Sequence, residues 1–216
     1  MDIPSNLKKI KDEIPEDVLV VAVSKTKPIK YIESALKTGH LHFGENKVQE
    51  LVLKHGKLTK EIKWHMIGHL QRNKVKYIAS FIYLIHSVDS IKLLKEIDKQ
   101  ANINNRIINV LIQVDISDDS TKFGFSFDKI NELMFTNKFN EFKNVSVKGF
   151  MGMASYTDDK ELITNQFKSL QHFFKKFKDS HSLHYLSMGM SSDYIEAINC
   201  DSNIIRLGTN IFGNRN

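Results

Sequence analysis

Cysteine is almost missing from this chain: Cys200 is the one thiol in 216 residues. That excludes an internal disulfide framework and a thiolate-based metal cluster, and it fits a reducing compartment, with the cytoplasm as the expected location. Prolines number three, and no Pro/Gly/Ser-rich linker or low-complexity run interrupts the sequence, so one domain over residues 1–216 is expected. No stretch approaches the ~18 uninterrupted apolar residues of a membrane span, and the opening Asp2, Pro4, Ser5 and Lys8 hold no apolar signal core. A soluble chain without membrane contact is expected. The formal charge of +6 raises nucleic acid as a partner, but the lysines are scattered and no compact arginine-aromatic cluster gathers them. A solvated basic surface accounts for them, and no nucleic acid is expected.

What the chain does have is a recurrence of short apolar runs: 18–24, 41–44, 64–68, 83–88, 110–116, 147–154, 185–188 and 204–207. Between them the apolar period lengthens, as in Ile29, Ile32 and Leu36 before Gly39, in Val48, Leu51 and Val52 before Gly56, and in Ile91, Leu94 and Ile97 after Ser90. Pro28 suits a helix's first turn, and Gly39 and Gly56 suit left-handed C-terminal caps. Strands alternating with helices pair in parallel through right-handed crossovers, and eight such units close into a (β/α)₈ TIM barrel. An open doubly wound sheet competes, but Ser24-Lys25-Thr26-Lys27-Pro28 stands after the first strand in place of a glycine-rich dinucleotide fingerprint. Residues 117–124 read as a long polar loop, an exposed turn or a lid. Residues 210–216 are too few for a full eighth helix, and a helix over residues 5–13 is expected to cover that side.

A barrel gathers the polar residues at its strand ends on one face: Lys25, Glu45, Asn46, His69, Ser87, Asp89, Asp115, Ser155, Ser191, Gly208 and Thr209. Period-two alternation puts Val21, Val23 and Lys25 on one side of the first strand, so Lys25 is expected to point inward, where desolvation favours the neutral, nucleophilic amine. The alternative is a solvated lysine at a strand edge. Ser187 to Asp193 leads from a strand into a helix, and Arg206-Leu207-Gly208-Thr209 adds a glycine and a second hydroxyl. Together they form a candidate phosphate seat, against an ordinary helix cap and a tight turn. His65 and His69 have a metal-like spacing, but on a strand and its exit such positions do not converge, so no metal is expected. Cys200 has no activating base nearby, Met188 and Met190 read as packing residues, and the aromatic stretch 167–177 reads as the buried side of a long amphipathic helix, with a surface patch for a partner as the alternative.

The runs VAVSKTKP around Lys25, HFGENKVQE around Asn46, WHMIGHLQRNKVK around His69, IHSVDS, LSMGMSSDYIEAI around Ser191 and IRLGTNIFG around Arg206 together resemble the pyridoxal phosphate homeostasis proteins, relatives of the alanine racemase barrel. The resemblance covers nearly the whole chain. It implies that Lys25 carries pyridoxal 5′-phosphate as an internal Schiff base, that Arg206 approaches the pyridine nitrogen, that Ser191, Gly208 and Thr209 hold the phosphate, and that Asn46 lies beside the ring. It further implies a non-catalytic carrier that stores, protects or delivers the cofactor, with PLP-dependent apoenzymes as possible acceptors. A monomer is the default state. A small PLP enzyme such as a weak amino-acid racemase is the alternative, and an RNA-binding or scaffold protein a third reading. Two departures stand out: Lys47 follows GEN where many relatives have tyrosine, and the sequence stops at Asn216 where relatives often continue through an aromatic residue.

Overall fold

The computed structural model describes residues 2–117 and 123–214. Eight parallel strands close in sequence order into one barrel: β1 (Leu19–Val23), β2 (His42–Glu45), β3 (Lys63–Met66), β4 (Leu84–Val88), β5 (Ile108–Val114), β6 (Val145–Gly152), β7 (Tyr185–Ser187) and β8 (Ile204–Leu207). Each coincides with an expected apolar run to within two residues at either end. The ring closes where β1 pairs with β8, Val21 lying opposite Arg206.

Around it lie α1 (Ile3–Glu13), α2 (Ile29–Leu36), α3 (Val48–Lys57), α4 (Ile91–Ile103), α5 (Phe127–Phe135), α6 (Lys160–Phe177), α7 (Tyr194–Ile198) and α8 (Thr209–Phe212). Between β3 and β4 the crossover is only a 3₁₀ turn, Arg72–Tyr77. The sequence forms these helices for local reasons. In α6 the Asp159 carboxylate accepts from the Leu162 N–H at 3.0 Å, Glu161 sits in the first turn and Lys175 and Lys176 in the last, matching the helix dipole. Its Ile163, Phe167, Leu170, Phe174 and Phe177 recur on one face and are buried, each such side chain contributing roughly 1.5–3 kcal/mol. The Ser90 hydroxyl caps α4 by accepting from the Leu93 N–H at 3.3 Å. α1 covers the side where α8 is only one turn long, and Asn6 Nδ2 donates to the Ile211 carbonyl at 3.0 Å.

Two apolar layers result. Val21, Leu84, Leu111, Met151 and Ile204 fill the barrel interior. The alternate strand residues, such as Val20, Phe43, Trp64, Ile85 and Phe150, pack outward against the helices. Gly149 is required by this construction: its φ is +153°, and a Cβ there would lie 1.8 Å from the Tyr185 carbonyl oxygen on the neighbouring strand.

Some local expectations need correction. Gly39 does take a left-handed φ of +78° after α2, but Gly56 does not end α3, which runs through it to Lys57. Pro28 precedes the first helical residue in an extended conformation (ψ 155°) and does not sit within the first turn. Met188 is buried as a packing residue, but Met190 is exposed beside the barrel mouth. Of the polar loop 117–124, residues 118–122 lie outside the described residues. Among the described residues no helix is long and apolar enough to cross a membrane.

Candidate functional site

Lys25 is half-buried in the turn that leaves β1, and the residues on either side of it are held by an ionic cluster behind the strand. Lys54 of α3, itself buried, spends its three N–H donors on the Ser24 carbonyl (2.7 Å), Glu45 Oε1 (2.7 Å) and Glu50 Oε1 (2.6 Å). Glu45 Oε1 also accepts from the Ser24 hydroxyl at 2.6 Å, and Glu50 Oε1 accepts from the Thr26 N–H at 2.7 Å. Thr26 adopts a left-handed φ of +64°, and its bond to Glu50 helps to hold that conformation. Burial pushes the Glu45 carboxyl up, with Lys54 and Ser24 pulling it back, and its Oε2 has no hydrogen-bond partner among the described residues. Glu45 therefore faces the strand–helix layer, not the mouth where strand-end position alone had placed it.

Arg206 rises from β8 and is 4 % exposed. Its Nη1 donates to the Ser187 carbonyl (2.9 Å) and hydroxyl (2.7 Å), and Nη2 donates to the Gly152 carbonyl (3.2 Å). All of these acceptors are neutral. Burial lowers its pKa to about 10, opposed by the charge of Asp193. Asp193 Oδ1 accepts from the Met190 N–H at 2.6 Å, which shapes the loop between β7 and α7. Burial raises the Asp193 carboxyl, while the Met190 bond and Arg206 lower it.

The loops after β7 and β8 are tied together where Gly208 N–H donates to Ser191 Oγ at 3.2 Å. Thr209 is exposed at the start of α8. At Gly208 the backbone φ of −110° is open to any residue, and an added Cβ would meet nothing nearer than the Val23 carbonyl at 3.6 Å. The fold thus has room for a methyl group at Gly208, in ordinary van der Waals contact with Val23, beside Ser191. Asn46 is half-buried just past β2, its backbone packed so closely on Gly68 that a Cβ there would come within 2.5 Å of its carbonyl oxygen.

The other strand-end residues divide. His69 Nδ1 pairs with Asp89 Oδ2 at 2.9 Å, and its ring stacks on Phe123 with centroids 4.0 Å apart. Asp115 accepts from the Ser117 hydroxyl within its own loop, Ser155 donates from its hydroxyl to the Ser117 carbonyl of the loop after β5 and from its N–H to Gln166 of α6, and the Ser87 hydroxyl donates to the Gly68 carbonyl. His65 does not approach His69; it lies inside the barrel, bonded to His42 and His86 at 2.9 Å each. Cys200 is buried against the Thr164 carbonyl, and burial pushes its thiol up. The structure thus places Lys25, Asn46, Ser191, Arg206, Gly208 and Thr209 at or just beyond the C-terminal ends of β1, β2, β7 and β8. Two supporting arrangements were not anticipated. The Lys54 cluster has a local signal in the i,i+4 pair Glu50/Lys54, and the buried histidines have one in their inward strand parity.

Comparison with known proteins follows the same geometry. The family model of the alanine racemase N-terminal domain matches residues 2–216. The chain is 35 % identical over 205 residues to the pyridoxal phosphate homeostasis protein of Haemophilus influenzae, covering 92 % of this chain and 86 % of that one. It is 37 % identical over 199 residues to that of Aquifex aeolicus, covering 91 % and 86 %. The structure of PipY from Synechococcus elongatus with PLP bound superposes with a TM-score of 0.89 at 30 % identity, covering 98 % of this chain and 100 % of that chain. An alanine racemase from Clostridium difficile shares the fold, with a TM-score of 0.80 at 14 % identity; the match covers 99 % of this chain and 57 % of the racemase.

Proposed function

Since the chain belongs to the pyridoxal phosphate homeostasis proteins, within the alanine racemase N-terminal domain family, we propose that it binds pyridoxal 5′-phosphate at the barrel mouth and serves intracellular vitamin B6 homeostasis as a carrier. The observation that carries this reading is the glycine at 208, where a methyl group would fit without a clash. No contact among the described residues requires glycine there, whereas a phosphate approaching the backbone beside the Ser191 and Thr209 hydroxyls does. The donor set fits the whole group: a primary amine at Lys25, a guanidinium at Arg206, and two hydroxyls with a glycine on the β7 and β8 loops.

When bound, the cofactor supplies an aldehyde that reacts reversibly with primary amines. Lys25 is the amine that would hold it, Ser191, Gly208 and Thr209 would hold the phosphate, Arg206 would face the ring nitrogen, and Asn46 would lie beside the ring. The Lys54 cluster presents Lys25 by clamping Ser24 and Thr26. Arg206 has no acceptor atom and stays charged. It would therefore keep the ring nitrogen unprotonated and weaken the ring as an electron sink, which favours holding and releasing the cofactor over strong catalysis. Transfer to PLP-dependent apoenzymes would proceed by exchange of the Lys25 amine for an acceptor's amine.

The test is absorption spectroscopy of the purified protein with PLP, then borohydride reduction and peptide mass mapping. A visible band with the adduct trapped on Lys25, lost in Lys25→Ala, is expected. Full covalent loading of Lys25→Ala would overturn the assignment. A second reading, weak amino-acid racemisation, draws on the His69–Asp89 pair as a proton carrier at the strand ends. Exchange of the α-deuterium of labelled amino acids at a useful rate, lost in His69→Gln, would favour it.

A further inference from the structure

A line of polar groups runs through the barrel interior from Arg206 to the opposite end. The Ser187 hydroxyl lies 3.0 Å from His86 Nδ1; His86 Nε2 lies 2.9 Å from His65 Nδ1; His65 Nε2 lies 2.9 Å from His42 Nδ1. Ser187, His65 and His86 are fully buried. His42 is half-buried at the start of β2 and lines a cleft of about 600 Å³ on the barrel floor, together with His40, Leu19 and Lys11.

The direction of the protons follows from the upper end. Arg206 can only donate, so Ser187 Oγ accepts from it at 2.7 Å. The serine's own proton then has one partner among the described residues, His86 Nδ1. A neutral His86 must carry its proton on Nε2 and give it to His65, which passes the same order to His42. The reverse order would leave a buried serine proton with no acceptor. The surroundings keep the rings neutral. Burial pulls His65 and His86 far below the ordinary histidine range, with Arg206 adding to the effect on His86, and with His86, His42, His40 and Lys63 adding to it on His65. Lys63 and His40 also face His42, Lys11 faces His40, and Tyr83 packs edge-on to His42.

We propose that Ser187, His86, His65 and His42 form one polarised hydrogen-bond chain that positions Arg206. Its acceptor end meets the guanidinium and its donor end faces the floor, so a buried cation is stabilised by aligned neutral dipoles with no carboxylate in hydrogen-bond contact among the described residues. The guanidinium does not take up a proton, so the chain orients and does not conduct. The four are positioning residues for Arg206. Only the consequence for a bound ring rests on the function proposed above.

The test uses full-length, cofactor-free protein with ¹⁵N-labelled histidine and arginine side chains. Long-range ¹H–¹⁵N correlations are expected to show His86 and His65 neutral with the proton on Nε2 from pH 5.5 to 8. Ser187→Ala is expected to release this order, so that both tautomers appear at His86 and at His65, and to speed Arg206 N–H exchange by about tenfold. His42→Phe, at the half-exposed end, serves as a second variant should Ser187→Ala fail to fold, and is expected to disturb His65 and then His86. A proton on His86 Nδ1 in the wild type, or variants that leave the next ring unchanged, would overturn the chain. With PLP added, a shifted visible band in a variant that still loads supports the link to the ring, and an unshifted band overturns that link. Failure of the wild type to load PLP would sink the proposed function while leaving the tautomer result to decide the chain.

Discussion

The N–H of Gly208 donates to the hydroxyl oxygen of Ser191 at 3.2 Å, so the two loops that close the barrel mouth after β7 and β8 are one hydrogen-bonded unit. The serine acts there as acceptor, and its own proton, with no acceptor among the described residues, remains for an outside oxygen.

That geometry separates folding from binding. Gly208→Ala meets no atom nearer than 3.6 Å, so its thermal midpoint is expected to stay close to that of the wild type while PLP retention falls. Ser191→Ala is expected to weaken PLP binding by roughly 10–100-fold, the worth of one hydrogen bond to a charged group. Equilibrium dialysis beside thermal unfolding checks both. Undiminished PLP binding by Gly208→Ala would remove the glycine from the phosphate site.

Lys54 carries the turn that presents Lys25. Lys54→Met leaves Glu45 buried without its cation, and breaking one side of a buried ion pair costs about 3–5 kcal/mol. Urea unfolding is expected to show a loss of that order. Covalent loading at Lys25 is expected to slow, because Ser24 and Thr26 lose their common anchor. A stable variant that loads at the wild-type rate would show that the cluster does not present Lys25.

Stability is expected to fall on mild acidification. His40 and His42 are pulled down to about 4 by burial, and His65 and His86 lie well below the ordinary range. Their folded pKa values are depressed, so the unfolded chain binds more protons below its histidine pKa of ~6.5. The stability they confer is whole above that pH and is lost as pH falls from about 6.5 towards 4. Each fully buried ring contributes a slope of about 1.4 kcal/mol per pH unit in that window. Glu45 acts in the opposite sense, because its raised pKa favours the folded state as it protonates. Urea midpoints of cofactor-free protein at pH 7.5, 6 and 5 measure the balance, and a rise on acidification would contradict buried neutral histidines.

Gly149→Ala tests the β6–β7 seam. A Cβ 1.8 Å from the Tyr185 carbonyl oxygen cannot be accommodated without parting the strands, and a loss of at least ~2 kcal/mol is expected. Circular dichroism melts decide this, an unchanged midpoint showing that the strands shift freely.

Much of the molecule is legible in its sequence. The alternation of short apolar runs with longer amphipathic ones determines eight strands and their order, because both periods are local properties of the backbone. Strand parity likewise sends Val21 inward with Arg206 beside it, and a closed parallel barrel necessarily collects strand ends, so Lys25, Asn46, Ser191, Gly208 and Thr209 share one face. The tertiary structure alone decided what stands behind them. Lys54 reaches Ser24 across 30 residues of sequence and His86 reaches Ser187 across 101, contacts set by the stagger and tilt of neighbouring strands and by no local period. Glu45 shows the limit most plainly. It adjoins Asn46, yet one step of the strand turns it from the mouth into the layer beneath α3, where its charge meets Lys54.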